Sequence, residues 1–227
     1  RYIRLHITSA TGDFGSGCQI YVFRQPNTPW YIPGDINQDG KIDDNDLTSY
    51  MNYTGLREGD GDFAGYISKG DINSNGLIDA YDISAVATEL EGGIYAEPGE
   101  KLQGDITIQA DKAQYSSGET VTLTVTGKDM QSVNALSMCL PYDATELEYV
   151  GIEPTAVKDM YNMTNDRLHT NGQKALYPTF VNLGMQNLLT GDAELMKIMF
   201  KARKSMKWNA KVTDRVLVDR HMKYITH

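Results

Sequence analysis

The chain opens on alternation. Tyr2, Arg4, His6 and Thr8 stand between Ile3, Leu5 and Ile7, the period-two spacing of a half-buried strand, and GDFGSG then supplies a turn before CQIYVF, so residues 1–25 predict a hairpin. The period changes in the next segment. DDNDLTSYMNY sets Leu47, Tyr50 and Met51, and DAYDISAVATEL sets Ile83, Val86, Ala87 and Leu90, at i, i+3, i+4 spacing, which predicts two short helices with one apolar face each. From residue 104 period two returns. Val121, Leu123 and Val125 share a face, as do Met196, Ile198, Phe200 and Ala202, and the device repeats with Ala210, Val212, Val216 and Val218. Short alternating stretches divided by Gly, Asn, Asp and Pro clusters predict an all-β antiparallel sandwich. Within it, TAVKDMYNM (155–163) predicts one short helix.

These changes of texture divide the chain into a multi-domain arrangement. A lone hairpin is marginal in water, so residues 1–25 read as the closing strands of a β-domain whose remainder lies upstream. Pro26, Pro29 and Pro33 around Trp30 and Tyr31 make residues 26–33 a stiff connector. A small helical module follows over 34–92, then a Gly- and Pro-containing linker over 93–103, then the sandwich over 104–227. No positively charged apolar leader opens the sequence, which starts inside a predicted strand, so a fragment of a larger protein without its targeting signal is expected.

Composition sharpens this in one place. The formal charge is −9, but residues 35–100 hold 15 Asp and Glu against 3 Lys and Arg, a net −12 that repels nucleic acid and anionic lipid and attracts cations. No apolar run approaches membrane-spanning length. Cys18 and Cys139 fall in different modules and read as free, buried thiols.

The acidic block contains GDINQDGKIDDNDL at 34–47 and GDINSNGLIDAYDI at 70–83. A cation of calcium's size takes six to eight oxygens at about 2.3–2.6 Å, and a 12-residue loop wraps one when alternate residues point inward and a Gly at position 6 permits the turn. The first loop offers Asp35, Asn37, Asp39, the carbonyl of Lys41, Asp43 and Asp46 around Gly40; the second offers Asp71, Asn73, Asn75, the carbonyl of Leu77, Asp79 and Asp82 around Gly76. Two Ca²⁺ are expected, since without a counter-charge the carboxylates of each loop repel at short range. Ile42 and Ile78, at position 8, are expected to pair the loops across a short backbone contact. Asp60 and Asp62 in GDGDF hint at a third cation site, but the spacing lacks positions 9 and 12 and a solvated loop is the better reading.

Other chemistry is missing. His6, His169, His221 and His227 lack zinc-ligand company and read mostly as solvated or capping residues, and no GxSxG, phosphate loop or Cys/His pair appears.

The repeated GDINxxGxID-x-x-D loop, with Asp at position 12, resembles the type I dockerin module of polysaccharide-degrading complexes. That resemblance implies two loop-plus-helix halves, helix faces that bind a cohesin, and partner recognition at loop positions 10 and 11: Asp44 and Asn45 in one half, Ala80 and Tyr81 in the other. LREGDGDFAGYISKG departs from the helical linker usual between the halves and reads as an irregular loop. GETVTLTVTGKDMQSVNALSMCLPYDATELEYVGIEP, GDAELMKIMFKARK and DRVLVDRHMK resemble a cohesin, a jelly-roll sandwich in which Tyr142–Asp143 forms a structural corner; an immunoglobulin-like sandwich is the alternative. YIRL and IYVF resemble the last strands of a discoidin-type carbohydrate-binding domain. Together these imply a non-catalytic, calcium-dependent association region, docking in cis or in trans on a cohesin-like domain, within a secreted or surface-displayed bacterial-type glycoside hydrolase. Catalysis or sugar binding by the sandwich, and a calcium sensor, are the rival readings.

Overall fold

Asp43 decides where the first helix starts. Its carboxylate accepts from Asn45 N–H and Asp46 reaches back to the Asp43 N–H, a reciprocal capping box that opens α1 (Asp44–Tyr50) by satisfying N-terminal donors that have no partner within the helix. The structure, a computed structural model, describes residues 31–90, 101–183, 188–209 and 211–227; the predicted hairpin over 1–25, Cys18 and most of the 93–103 linker lie outside them. A 3-10 turn (Ile67–Gly70) follows α1, and α2 (Ala80–Leu90) closes the helical part. Leu47, Tyr50, Ile83, Val86 and Ala87 are buried as the spacing predicts, but Met51 sits at the C-cap of α1 and is 43% exposed.

The strands are β1 (Gln103–Ala110), β2 (Gln114–Tyr115), β3 (Thr120–Val133), β4 (Ala135–Tyr142), β5 (Leu147–Pro154), β6 (Tyr161–Asn162), β7 (Asn165–Leu168), β8 (Lys174–Tyr177), β9 (Thr179–Val181), β10 (Leu189–Ala202), β11 (Met206–Lys207), β12 (Thr213–Val218) and β13 (Tyr224–Thr226). One sheet runs β1-β3-β10-β5 and the other β13-β12-β4-β8-β7, with β9 also on β4; every described pairing is antiparallel. Val121, Leu123, Val125, Ile198 and Phe200 from the first sheet meet Leu136, Met138, Leu140, Phe180 and Leu217 from the second in one core. At its corner Tyr142 donates to Asp166 Oδ1 (2.8 Å) and Asp143 Oδ1 accepts from Thr145 N–H (2.7 Å), a structural corner.

Three expectations are corrected. Residues 155–160 form a turn and residues 161–162 a short strand: the N–H groups of Thr155 and Ala156 bond the carbonyls of Leu195 and Glu194 on β10, so they are drawn into sheet contact and no helix forms. Val212 and Val216 do not share a face, because Asp214 adopts φ +47° in a register break between Thr213 and Val216; such an extra residue flips every side chain beyond it. Val212 accordingly packs on the sandwich core while Val216 and Val218 join the opposite, outer cluster. Ile78 exchanges backbone hydrogen bonds with the Gly55–Leu56 segment (both 2.9 Å) instead of pairing with Ile42, which is half-buried beside Gly34.

Candidate functional site

Each acidic loop is held by its own carboxylates. In the first, Asp35 accepts from the N–H groups of Asp39 (3.1 Å) and Gly40 (3.0 Å), Asn37 Oδ1 from Asp39 N–H (2.9 Å), Asp39 Oδ1 from Lys41 N–H (3.0 Å), and Asp46 from Asn37 (3.2 Å) and Asp43 (3.0 Å). Gly40 at φ +88° makes the turn a side chain would strain. The second repeats the pattern: Asp71 accepts from Asn75 (3.0 Å) and Gly76 (2.8 Å), Asn73 Oδ1 from Asn75 N–H (3.2 Å), Asn75 Oδ1 from Leu77 N–H (2.9 Å), and Asp82 from Ile72 (2.7 Å) and Asp79 (2.9 Å).

The first loop brings one oxygen each of Asp35, Asp39 and Asp46 within 4.8 Å of one another. Burial pushes the Asp46 carboxyl above the usual range. Burial likewise raises Asp79, to about 6, and raises Asp82, with the neighbouring Asp79 adding to it. Carboxylates crowded out of water without a cationic partner are what a hard divalent ion would neutralise, and an all-oxygen donor set suits it.

The two residue pairs expected to recognise a partner meet different fates. Asp44 and Asn45 are exposed. Ala80 is fully buried, and its N–H, one of the N-terminal donors a helix cannot satisfy internally, donates to Ser137 Oγ on β4 (3.2 Å). Tyr81 packs edge-on to Tyr224 of β13 at 4.9 Å. Ile83, Val86 and Ala87 of α2 share one cluster with Ala135, Val181, Val216 and Val218 on the outer face of β4, β9 and β12, so α2 roofs the sandwich of its own chain within the single unit Tyr31–His227.

Several residues of this contact are absent from the sequence-derived site. Gly55, at φ +78°, lies against the Tyr177 ring. Arg57 Nη2 donates to Gln173 Oε1 (2.6 Å), and Gly61 N–H to Thr170 Oγ1 (2.8 Å). Asn165 Nδ2 donates to Met51 O (2.9 Å), and Arg167 to the carbonyls of Thr54 (3.1 Å) and Asn52 (2.6 Å) in the turn that follows α1. Asp60 is not solvated, nor is His169: their side chains are 7% and 0% exposed and 2.7 Å apart. The detectable signal was the alternation Asn165-x-Arg167-x-His169, which puts three polar side chains on one side of an edge strand.

The profile of the dockerin type I domain matches residues 33–91, and that of the cohesin domain matches residues 106–222, more than half of the chain. The chain belongs to the cohesin family. Its cohesin domain follows the dockerin type I region directly in sequence. Dockerin type I domains bind calcium, and neither module is catalytic. Solved structures similar to this chain include a type I cohesin–dockerin complex (Coh-OlpC-Doc435) from Clostridium thermocellum at 15% identity, covering 58% of this chain and 92% of that one with a TM-score of 0.43. Another is the sixth cohesin of scaffoldin B from Acetivibrio cellulolyticus in complex with a Cel5 dockerin, at 17% identity, 54% and 91% coverage and a TM-score of 0.42. A third is a non-cellulosomal cohesin from the hyperthermophilic archaeon Archaeoglobus fulgidus, at 14% identity, 53% and 83% coverage and a TM-score of 0.40. A search of curated proteins finds no match. Among the described residues no helix is long and apolar enough to cross a membrane.

Proposed function

We propose that this region is a calcium-dependent association unit in which the dockerin-like module docks in cis on its own cohesin domain. The observation that carries the reading is the burial of the α2 face, from Ala80 to Ala87, against β4, β9 and β12 of the same chain. Two Ca²⁺ would be held by Asp35, Asn37, Asp39, the Lys41 carbonyl, Asp43 and Asp46, and by Asp71, Asn73, Asn75, the Leu77 carbonyl, Asp79 and Asp82. Bound there, calcium neutralises the crowded carboxylates and fixes the loops that launch each helix. Asp43 caps α1 and Asp79 accepts from Tyr81 N–H (2.7 Å) at the start of α2, so loop order and helix order are one event. Ordering before docking removes a cost that docking would otherwise meet, and the tether supplies an effective concentration of order millimolar.

The setting we infer is extracellular, in the C-terminal region of a secreted carbohydrate-degrading enzyme, with the paired modules acting as a stiff spacer. The likeness of the sequence of residues 1–25 to a discoidin-type carbohydrate-binding domain is what supports that setting. The exposure of Asp44 and Asn45 favours one addition, a cohesin of a different protein taken in trans by the α1 half. Light scattering after size-exclusion chromatography tests the cis reading: a compact monomer independent of concentration that expands on chelation supports it, and a calcium-dependent dimer refutes it.

A further inference from the structure

We propose that the segment between the two loops, residues 52–61, is a second docking element, and that Asp60 with His169 at its centre makes the module selective for a cohesin face bearing the Asn165, Arg167, His169 row. This deepens the cis reading and rests on it. Helix α2 contributes mainly apolar contact, which any flat face of small and β-branched side chains would accept. Apart from the Ala80–Ser137 hydrogen bond, the polar complementarity lies elsewhere.

Along the β7 edge, alternate residues reach the same way. Asn165 and Arg167 take the carbonyls of Met51, Asn52 and Thr54. Two residues on, His169 Nδ1 lies 2.7 Å from Asp60 Oδ2 and Nε2 lies 2.8 Å from the Tyr177 hydroxyl. The same carboxylate accepts from Thr170 N–H through Oδ1 (3.0 Å) and from Arg57 N–H through Oδ2 (3.2 Å). Asp60 is therefore saturated by groups of both modules, and Nδ1 carries the proton it donates. His169 is 2% exposed, so a partner face lacking it would leave the Asp60 carboxylate buried without this donor, and a module lacking Asp60 would leave His169 unpaired. Each mismatch costs more than the matched pair contributes, which is how buried polar groups discriminate between partners.

The Ala80 amide reports on docking, because its one hydrogen bond is to Ser137 across the contact. Its hydrogen-exchange protection in the calcium-loaded full chain would be measured for the wild type, Asp60→Asn, His169→Gln and the double variant. Each single variant is expected to lower the protection by about tenfold or more, with the double variant no worse than the more damaging single, the non-additivity of a directly coupled pair. Asp62→Asn, at an exposed neighbour, leaves it unchanged. Amides of Leu123 and Ile198 in the β3–β10 pairing serve as the folding control and keep their protection in all variants. Unchanged Ala80 protection in both singles, or losses that simply add, would overturn the proposal. An unprotected Ala80 amide in the wild type with calcium would instead overturn the cis reading itself.

Discussion

Gly55 lies so close to the ring of Tyr177 that a Cβ built on it would stand 2.2 Å from Cδ2. Its φ of +78° already disfavours any side chain. Both constraints act at one point of the contact between the modules, so Gly55→Ala is expected to separate them while leaving the cohesin sandwich folded. The Ala80 amide should lose its protection, whereas unfolding of the sandwich core should remain cooperative. Retained protection would show that Tyr177 yields and the contact is loose.

The pairs Asp44–Asn45 and Ala80–Tyr81 are predicted to be unequal. Tyr81→Ala removes the edge-on contact with Tyr224, an interaction of about 0.5–1.5 kcal/mol beyond its buried area, and should shift the chain measurably toward the open form in hydrodynamic radius. Asp44→Ala and Asn45→Ala, in the exposed half, should leave that radius unchanged.

Acid should open the contact through Asp60. Burial alone would raise this carboxyl, but the hydrogen bonds from His169 and from the N–H groups of Thr170 and Arg57 outweigh it and hold it below the ordinary value. A depressed carboxyl contributes stability above its unfolded value of about 4, and that contribution is lost as pH falls through the depressed value. Asp60→Asn lacks this group, so the difference in closing between wild type and variant should shrink as pH drops below about 4 and stay constant from neutral pH down to that point. A difference independent of pH through the acid range contradicts the assignment.

Calorimetric titration of the chelated chain should resolve two calcium sites. Asp39→Ala should abolish one and Asp71→Ala the other, and only the second loss should also free α2, because the loop that holds Asp71 runs straight into Ala80. One binding event, or equal effects of the two substitutions on docking, would contradict the paired-loop account.

Much of the module is legible in the sequence because its causes are local. The spacing of Asp35 through Asp46 and of Asp71 through Asp82 is a property of consecutive residues, and so are Gly40 and the i, i+3, i+4 faces around Leu47 and Ile83. The contact between modules was not legible, since its parts lie far apart in sequence, 57 residues for Ala80 and Ser137 and 109 for Gly61 and Thr170. One trace was present. Val216, Leu217 and Val218 form a continuous apolar run, the pattern of a strand covered on both faces, and the outer cover is α2. The bulge at Asp214 hid this by making the run look like one more single-sided alternation begun at Val212. Likewise Asn165, Arg167 and His169 read as an ordinary polar edge until the segment they hold is known.

Replacing calcium with a paramagnetic lanthanide tests the central claim most directly, by the shifts it induces in methyl groups of Ala135, Val181 and Val218 on the cohesin domain. A docked module predicts large shifts there that fit one position of each ion relative to the sandwich. Shifts confined to residues 34–90, with those cohesin methyls unmoved, would contradict it.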